Sequence, residues 1–283
     1  MPRNLPAHAR ALTVTAAACV ALAACSSTPH PVDSSGTPVT PAPTALPSGW
    51  LETDVTVPTP SGSVAGVYVH PSESSGSHPA AVILGPTGGD PGGADGGAEV
   101  ELSVILAHDG SPSLRIDAPA AGATYAARLA QASAAVSDLA GRPGVDRRRL
   151  LVMGHGDGAA VAAGLAARPS GAPVIHGVAL VEPVLAPAAT VLSGVPDVVT
   201  LATGLPPGSQ NLISCSDADI EVHCDDVQSA VDVMAGTHPN FVRLSGMSFA
   251  LEDDSSKSRD SYTARLPFSA TLAASIGTWL TMQ

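Results

Sequence analysis

The pattern of the chain predicts an α/β fold, a mostly parallel sheet with helices on both faces. Three observations predict it. Two runs of strand type, split by a Pro/Gly turn, open the body; apolar runs then alternate with helix-period segments to the C-terminus; and the later strand runs are continuously apolar, as strands buried on both faces are. A strand–helix–strand order places successive strands parallel through right-handed crossovers.

Taken in order, Thr53 to Val57 and Ser63 to His70 read as two strands joined through a turn at Pro58 to Gly62. Ala80 to Leu84 is a buried strand running into the loop Gly85-Pro86-Thr87-Gly88-Gly89. Residues 97–108 form a helix that stops near Gly110, and Ser113 to Ile116 is a short strand. Between Ala123 and Ala140, Leu129, Ala132, Val136 and Leu139 share one face of a helix, which Gly141, Pro143 and Gly144 end. Leu150 to Met153 is a strand, followed by a helix of small residues from Gly158 to Ala167. His176 to Val181 and Asn211 to Ser214 are strands, Asp225 to Met234 a helix, and Asn240 to Leu244 the last strand. Leu272, Ile276, Trp279 and Leu280 mark the inner face of a closing helix.

The N-terminal end has another character. Arg3 and Arg10 precede the uncharged apolar run Ala11 to Ala24, which is shorter than a membrane-spanning helix needs and suits the core of an export signal. It ends in Leu22-Ala23-Ala24-Cys25. This resembles the bacterial lipobox, which implies a signal at 1–24, cleavage before Cys25, and acylation of that cysteine as a membrane lipid anchor. Residues 26–48 are almost entirely Ser, Thr, Pro, Ala, Gly and Val. Such a stretch has little apolar surface to bury, so 25–49 reads as a lipidated cysteine with a disordered tether. The folded body is assigned to residues 50–283, outside the cytoplasm.

The full chain carries 13 basic and 25 acidic residues. Loss of Arg3 and Arg10 with the signal would leave 11 and 25, a formal balance of −14. With no basic cluster interleaved with aromatics, nucleic acid is excluded as a partner class. No cofactor-binding motif is present. Of four cysteines, Cys19 lies in the signal and Cys25 is the lipid site, leaving Cys215 and Cys224 as an even pair in a compartment that permits disulfides. Closing that short loop is worth about 2.5–3 kcal/mol on the chain-entropy model. Asp217, Asp219, Glu221, Asp225 and Asp226 form an acidic cluster, but it lacks the glycine turn of a calcium loop and reads as a solvated face.

The run Gly154-His155-Gly156-Asp157-Gly158 lies between a strand and a helix and resembles the nucleophile elbow G-x-S-x-G of the α/β-hydrolases. The Gly85–Gly89 loop is similar to their oxyanion loop. Ala140 to Leu150 (AGRPGVDRRRL) is similar to the lead-in to the elbow strand of dienelactone-hydrolase and acetylxylan-esterase-like members. The resemblance implies the α/β-hydrolase fold for the body. It implies oxyanion-type backbone at Pro86, Thr87 and Asp157, an acid after the next-to-last strand, and a histidine after the last.

Acyl transfer needs a nucleophile, a histidine to move its proton and a carboxylate to orient that histidine. Here the nucleophile position is Gly156. The acid position is Asp219, with Asp217 as substitute. The histidine position falls in Ser245-Gly246-Met247-Ser248-Phe249, on Ser248 or Met247. Two of three members are missing, and they are the two that handle the proton. Asp157 falls one residue beyond the apex; His155 suits packing; His223 or Glu182 could supply a base or an acid, but neither supplies a nucleophile. Glycine adopts the strained backbone of an elbow at little steric cost, so it is a natural occupant once attack is lost. The expectation is a tethered, non-catalytic hydrolase-like domain that binds a small molecule, an envelope polymer or a protein. The alternative is an extracytoplasmic esterase using other residues.

Overall fold

The computed structural model describes residues 40–73, 76–87, 97–118, 122–167, 173–185, 192–196, 205, 210–234, 239–258 and 266–283. The signal, Cys25, tether residues 26–39, and Gly88 and Gly89 of the glycine-rich loop lie outside them.

Among the described residues, eight strands form one sheet: β1 (Trp50–Thr59), β2 (Gly62–Pro71), β3 (His78–Leu84), β4 (Ser113–Ile116), β5 (Val145–His155), β6 (Ile175–Val181), β7 (Gln210–Ser216) and β8 (Asn240–Leu244). Their order is β1-β2-β4-β3-β5-β6-β7-β8. β1 and β2 form an antiparallel hairpin, β2 meets β4 antiparallel, and every later pairing is parallel. Both hairpin strands are longer than the alternation alone marks, because backbone pairing runs from Trp50↔Pro71 to Thr59↔Gly62. β5 also starts earlier, at Val145, where Asp146 accepts from the Arg148 N–H and pairs with Arg149.

Among the described residues, five helices cover the two faces: α1 (Ala98–His108), α2 (Tyr125–Ala140), α3 (Gly158–Ala166), α4 (Cys224–Asp232) and α5 (Ala270–Leu280). α2 begins where the Thr124 hydroxyl accepts from the Ala127 N–H, and α5 where the Ser269 hydroxyl accepts from Leu272. The predicted inner stripe of α2, Leu129, Ala132, Val136 and Leu139, is buried. It packs with α3 and α4 residues against one face of the sheet. On the other face, Leu102 and Leu106 of α1 meet Leu272, Ile276 and Trp279 of α5. Trp279 is fully buried, and its ring N–H donates to the Gln210 carbonyl at 2.7 Å.

The body starts before residue 50. Ala42 packs on the second apolar cluster, His108 Nε2 donates to the Ala45 carbonyl at 3.0 Å, and the Trp50 N–H donates to the Pro47 carbonyl. The Pro-, Ala- and Thr-rich composition of 40–48 hides this, since one small apolar residue and backbone carbonyls make the contacts.

Candidate functional site

Gly156 lies at the carboxyl ends of the adjacent strands β3, β5 and β6, with Phe249 of the segment after β8 against it. β5 delivers His155, the chain turns at Gly156, and α3 begins at Gly158. Gly156 has φ +61°, the left-handed conformation that side chains other than glycine occupy at a cost. Its N–H donates to the Val181 carbonyl, and its own carbonyl accepts from Ala159 and Val184. The flanking glycines are required by close approach. A Cβ at Gly154 would strike the Gly158 carbonyl, and one at Gly158 the Leu84 carbonyl. The turn of an elbow is therefore intact.

The space above it is filled. A Cβ at residue 156 would lie 2.8 Å from Phe249 Cζ and 3.2 Å from Pro86 Cβ. The Phe249 ring also packs tilted on the His155 imidazole, with centroids 4.8 Å apart. His155 fixes this arrangement from both ends. Its Nε2 donates to the Phe249 carbonyl at 2.8 Å, and its Nδ1 lies 3.0 Å from Glu99 Oε1. Burial acts to raise the Glu99 pKa, but the hydrogen bond and charge of His155 outweigh it and hold the carboxyl below its ordinary value. His155 thus sits in a structural pairing that ties α1, β5 and the loop after β8 together.

Asp157 turns toward β3. Its Oδ1 accepts the Thr87 N–H at 2.8 Å. That N–H belongs to the loop expected to provide oxyanion-type backbone, and an internal carboxylate already holds it. Pro86 has no N–H to offer; its ring instead helps close the space over Gly156. Arg128 of α2 is only 1% exposed, with Nη1 donating to the Asp117 carbonyl. Burial lowers the Arg128 pKa to about 10 against the opposing charges of Asp157, Asp117 and Glu99.

The expected acid position holds an inward-facing carboxylate. Asp219, after β7, is buried, and its Oδ1 accepts the N–H groups of Glu221 and Val222 at 2.7 and 3.4 Å. Asp217 points outward to Arg243, which also pairs with Asp225. Asp219 is therefore the inward-facing carboxylate of the two. Its neighbour is Glu182, fully buried after β6 at φ +44°. Burial, and then the charge of Asp219, push the Glu182 pKa well up; burial also raises that of Asp219. Both shifts favour the protonated form, that of Glu182 the more strongly. No histidine stands beside them in the loop after β8. Ser248 is buried there, its N–H on the Glu252 carbonyl, and the neighbouring Met247 N–H donates to Ser216 Oγ.

Cys215 and Cys224 are joined in a disulfide with Cα atoms 5.5 Å apart, as their spacing predicts. It ties the end of β7 to the first residue of α4 and closes the loop that carries Asp219 and His223. Among the described residues, no three His, Cys, Asp or Glu side chains converge as metal ligands. No helix among them is long and apolar enough to cross a membrane.

Solved structures share this architecture. An esterase of Pyrobaculum calidifontis superposes with a TM-score of 0.60 at 18% identity, over 81% of this chain and 85% of its own. A protein described as a dienelactone hydrolase, from Klebsiella pneumoniae, gives 0.63 at 16% identity over 83% and 99%. An α/β-hydrolase of Penicillium gives 0.62 at 11% identity over 82% and 98%. The chain has the α/β-hydrolase fold. At these identities the likeness extends to the fold alone. No family model and no curated protein matches the sequence.

On this α/β-hydrolase fold the turn after β5 carries Gly156 at its apex, the Thr87 N–H of the loop after β3 is bonded to Asp157, and two buried carboxyls, Glu182 and Asp219, follow β6 and β7. Three residues that shape the site escape a motif search: Glu99, Arg128 and Phe249. Glu99 and Arg128 lie within helices and carry no motif. Phe249 was visible only as part of the segment where a histidine was sought.

Proposed function

We propose that this α/β-hydrolase-fold body has given up hydrolysis at the elbow and serves recognition at the cell envelope, tethered to the membrane through acylated Cys25. One observation carries the reading: the Phe249 ring crowds the place where a nucleophile's side chain would begin, its Cζ 2.8 Å from where a Cβ at residue 156 would lie. A hydroxyl or thiol at the elbow apex and a histidine in the loop after β8 are both missing from the sequence. The signal-like residues 1–24, Cys25 and the Cys215–Cys224 disulfide support an extracytoplasmic setting. Because Phe249, Pro86 and Asp157 fill the space around Gly156, recognition falls to the outer surface, with an envelope polymer or a protein as partner rather than a small molecule above the elbow.

A second reading, an esterase working through other residues, is supported by solved neighbours that are esterases and by the intact turn at Gly156. A fluorophosphonate probe separates the two. The purified body is treated, and its intact mass is measured. The pseudoenzyme reading expects no adduct. A stoichiometric adduct that maps to one serine, and disappears when that serine becomes alanine, would establish the esterase reading instead.

A further inference from the structure

The elbow stands at the carboxyl edge of the parallel strands, and the chain enters the body at the opposite, amino edge. There the Ala45 carbonyl accepts from His108 at the end of α1, the Trp50 N–H donates to Pro47, and Leu51 pairs with His70 near the close of β2. Arg142, Arg147, Arg148 and Arg149, four of the eight Lys and Arg among the described residues, lie along this same edge, after α2 and at the start of β5. Arg142 pairs with Asp138 and Arg149 with Asp146. Arg147 and Arg148 are exposed and meet no carboxylate within ion-pair distance among the described residues. Single carboxylates, Glu73 after β2 and Asp109 after α1, are exposed on the flanks, so the positive field centres on β5. Three of the four exposed large apolar residues share the edge: Leu51 in β1, Val174 just before β6, and Met282 after α5. Met282 is placed there by its neighbour Gln283, whose amide donates to Gln210 at the start of β7. The fourth, Val233, ends α4. The carboxyl edge has the opposite character. Asp217, Glu221, Asp225 and Asp226 are exposed after β7, where Arg243 is already paired with two of them.

We infer that the amino edge is the membrane-docking face of the body: Arg147 and Arg148 meet the phosphates of anionic lipid headgroups, and Leu51, Val174 and Met282 settle among them, in an orientation that rests on acylation of Cys25. The length of the linking chain supports it. Residues 26–39 separate Cys25 from the described body. A random chain of that length spans about 20 Å, and about 50 Å at full stretch. β5 alone, from Val145 to His155, runs about 33 Å. The entry edge therefore reaches the membrane with the linker relaxed, whereas the elbow edge would draw it toward full extension. Charge favours the same orientation, since an anionic surface repels the acidic carboxyl edge and attracts the arginines. Each arginine near such a surface strengthens binding about fivefold. That is weak for a free body, but a tether holds it at high local concentration. The elbow edge and its acidic loop then face outward, toward the polymer or protein partner proposed above.

Vesicle co-sedimentation tests the docking face on the full chain carrying Cys25→Ala, so that no acyl chain contributes. This parent chain should bind vesicles of equal parts phosphatidylglycerol and phosphatidylcholine more tightly than phosphatidylcholine alone. The difference should vanish in about 1 M sodium chloride, which screens charges beyond about 3 Å. Adding Arg147→Gln and Arg148→Gln together should weaken binding to the anionic vesicles about 25-fold. Arg147 also donates to the Ala140 carbonyl, so Arg148→Gln alone is the second variant, with an expected loss of about fivefold. Glu221→Gln with Asp226→Asn, at the far edge, should change binding less than about twofold, because those charges lie beyond the screening length. No preference for the anionic vesicles overturns the docking face. So does unchanged affinity in Arg148→Gln, or a gain in the Glu221 and Asp226 variant as large as the arginine loss. The anchor itself is read from the fate of Cys25→Ala in cells, and docking from vesicles without an acyl chain, so failure of one is told apart from failure of the other.

Discussion

Gly156→Ala is a small perturbation whose consequences can be worked out from two contacts. At φ +61° a Cβ costs about 1–2 kcal/mol from backbone sterics alone. The same Cβ would sit 2.8 Å from Phe249 Cζ, closer than packed carbons stand, so the ring must leave its place on His155. Overpacking of this kind costs about 1–3 kcal/mol. Together Gly156→Ala should destabilise the body by about 2–5 kcal/mol. Only the second part depends on Phe249. In a Phe249→Ala background the ring is gone, and Gly156→Ala should cost only its backbone part, about 1–2 kcal/mol. A double-mutant cycle by urea unfolding should therefore give a coupling of about 1–3 kcal/mol between the two positions. Midpoints should shift with m-values held constant. A coupling under about 0.5 kcal/mol, with Gly156→Ala equally costly in both backgrounds, would refute the placement of Phe249 over the elbow.

The other expectations concern the acid pair, the disulfide and the anchor. Glu182 has its folded pKa raised above that of the unfolded chain, so its contribution to stability is present below the ordinary carboxylate range and is lost as pH climbs toward the raised value. Glu182→Gln should therefore melt higher than wild type at pH 7, with the difference shrinking toward pH 4; melting curves across that range check it, and an effect of opposite sign would contradict a buried protonated pair. Replacing Cys215 and Cys224 by alanine together should cost about 2.7 kcal/mol in urea unfolding, the loop-entropy value for so short a closure. Cys25→Ala should move the protein from the membrane fraction to the soluble extracytoplasmic fraction, read by fractionation and immunoblot; unchanged membrane retention would remove the lipid-anchor proposal.

Much of the fold was legible because its signals are local. Val82, Val152 and Ile213 lie in runs apolar enough to mark strands buried on both faces, and the Leu129 to Leu139 spacing fixed the inner face of α2. Boundaries were less legible. The hairpin extends through Leu51 and Glu52, exposed residues that no hydrophobic period marks but that pair through their backbone. At the site, the left-handed turn at Gly156 and the buried Asp219 lie after the strands that motif and order indicated. What fills the elbow could not. Phe249 lies 93 positions beyond Gly156 and reaches it only because β8 returns to the same sheet edge. Glu99 and Arg128 act through helices α1 and α2, from opposite faces of the sheet, and neither side chain differs in sequence from an ordinary exposed helix charge. Long-range packing of this kind leaves no period to read.

The central claim is that the chain closes its own elbow, and proton NMR tests it most directly. The Gly156 hydrogen that replaces a Cβ points at the Phe249 ring tip, and the ring is held there by His155. A nuclear Overhauser effect should connect that Gly156 Hα to the Phe249 ring protons in the native protein, and it should vanish in Phe249→Ala. Absence of the cross-peak in a folded, fully assigned sample, with Phe249 contacts to solvent-facing residues instead, would show an open elbow and contradict the account.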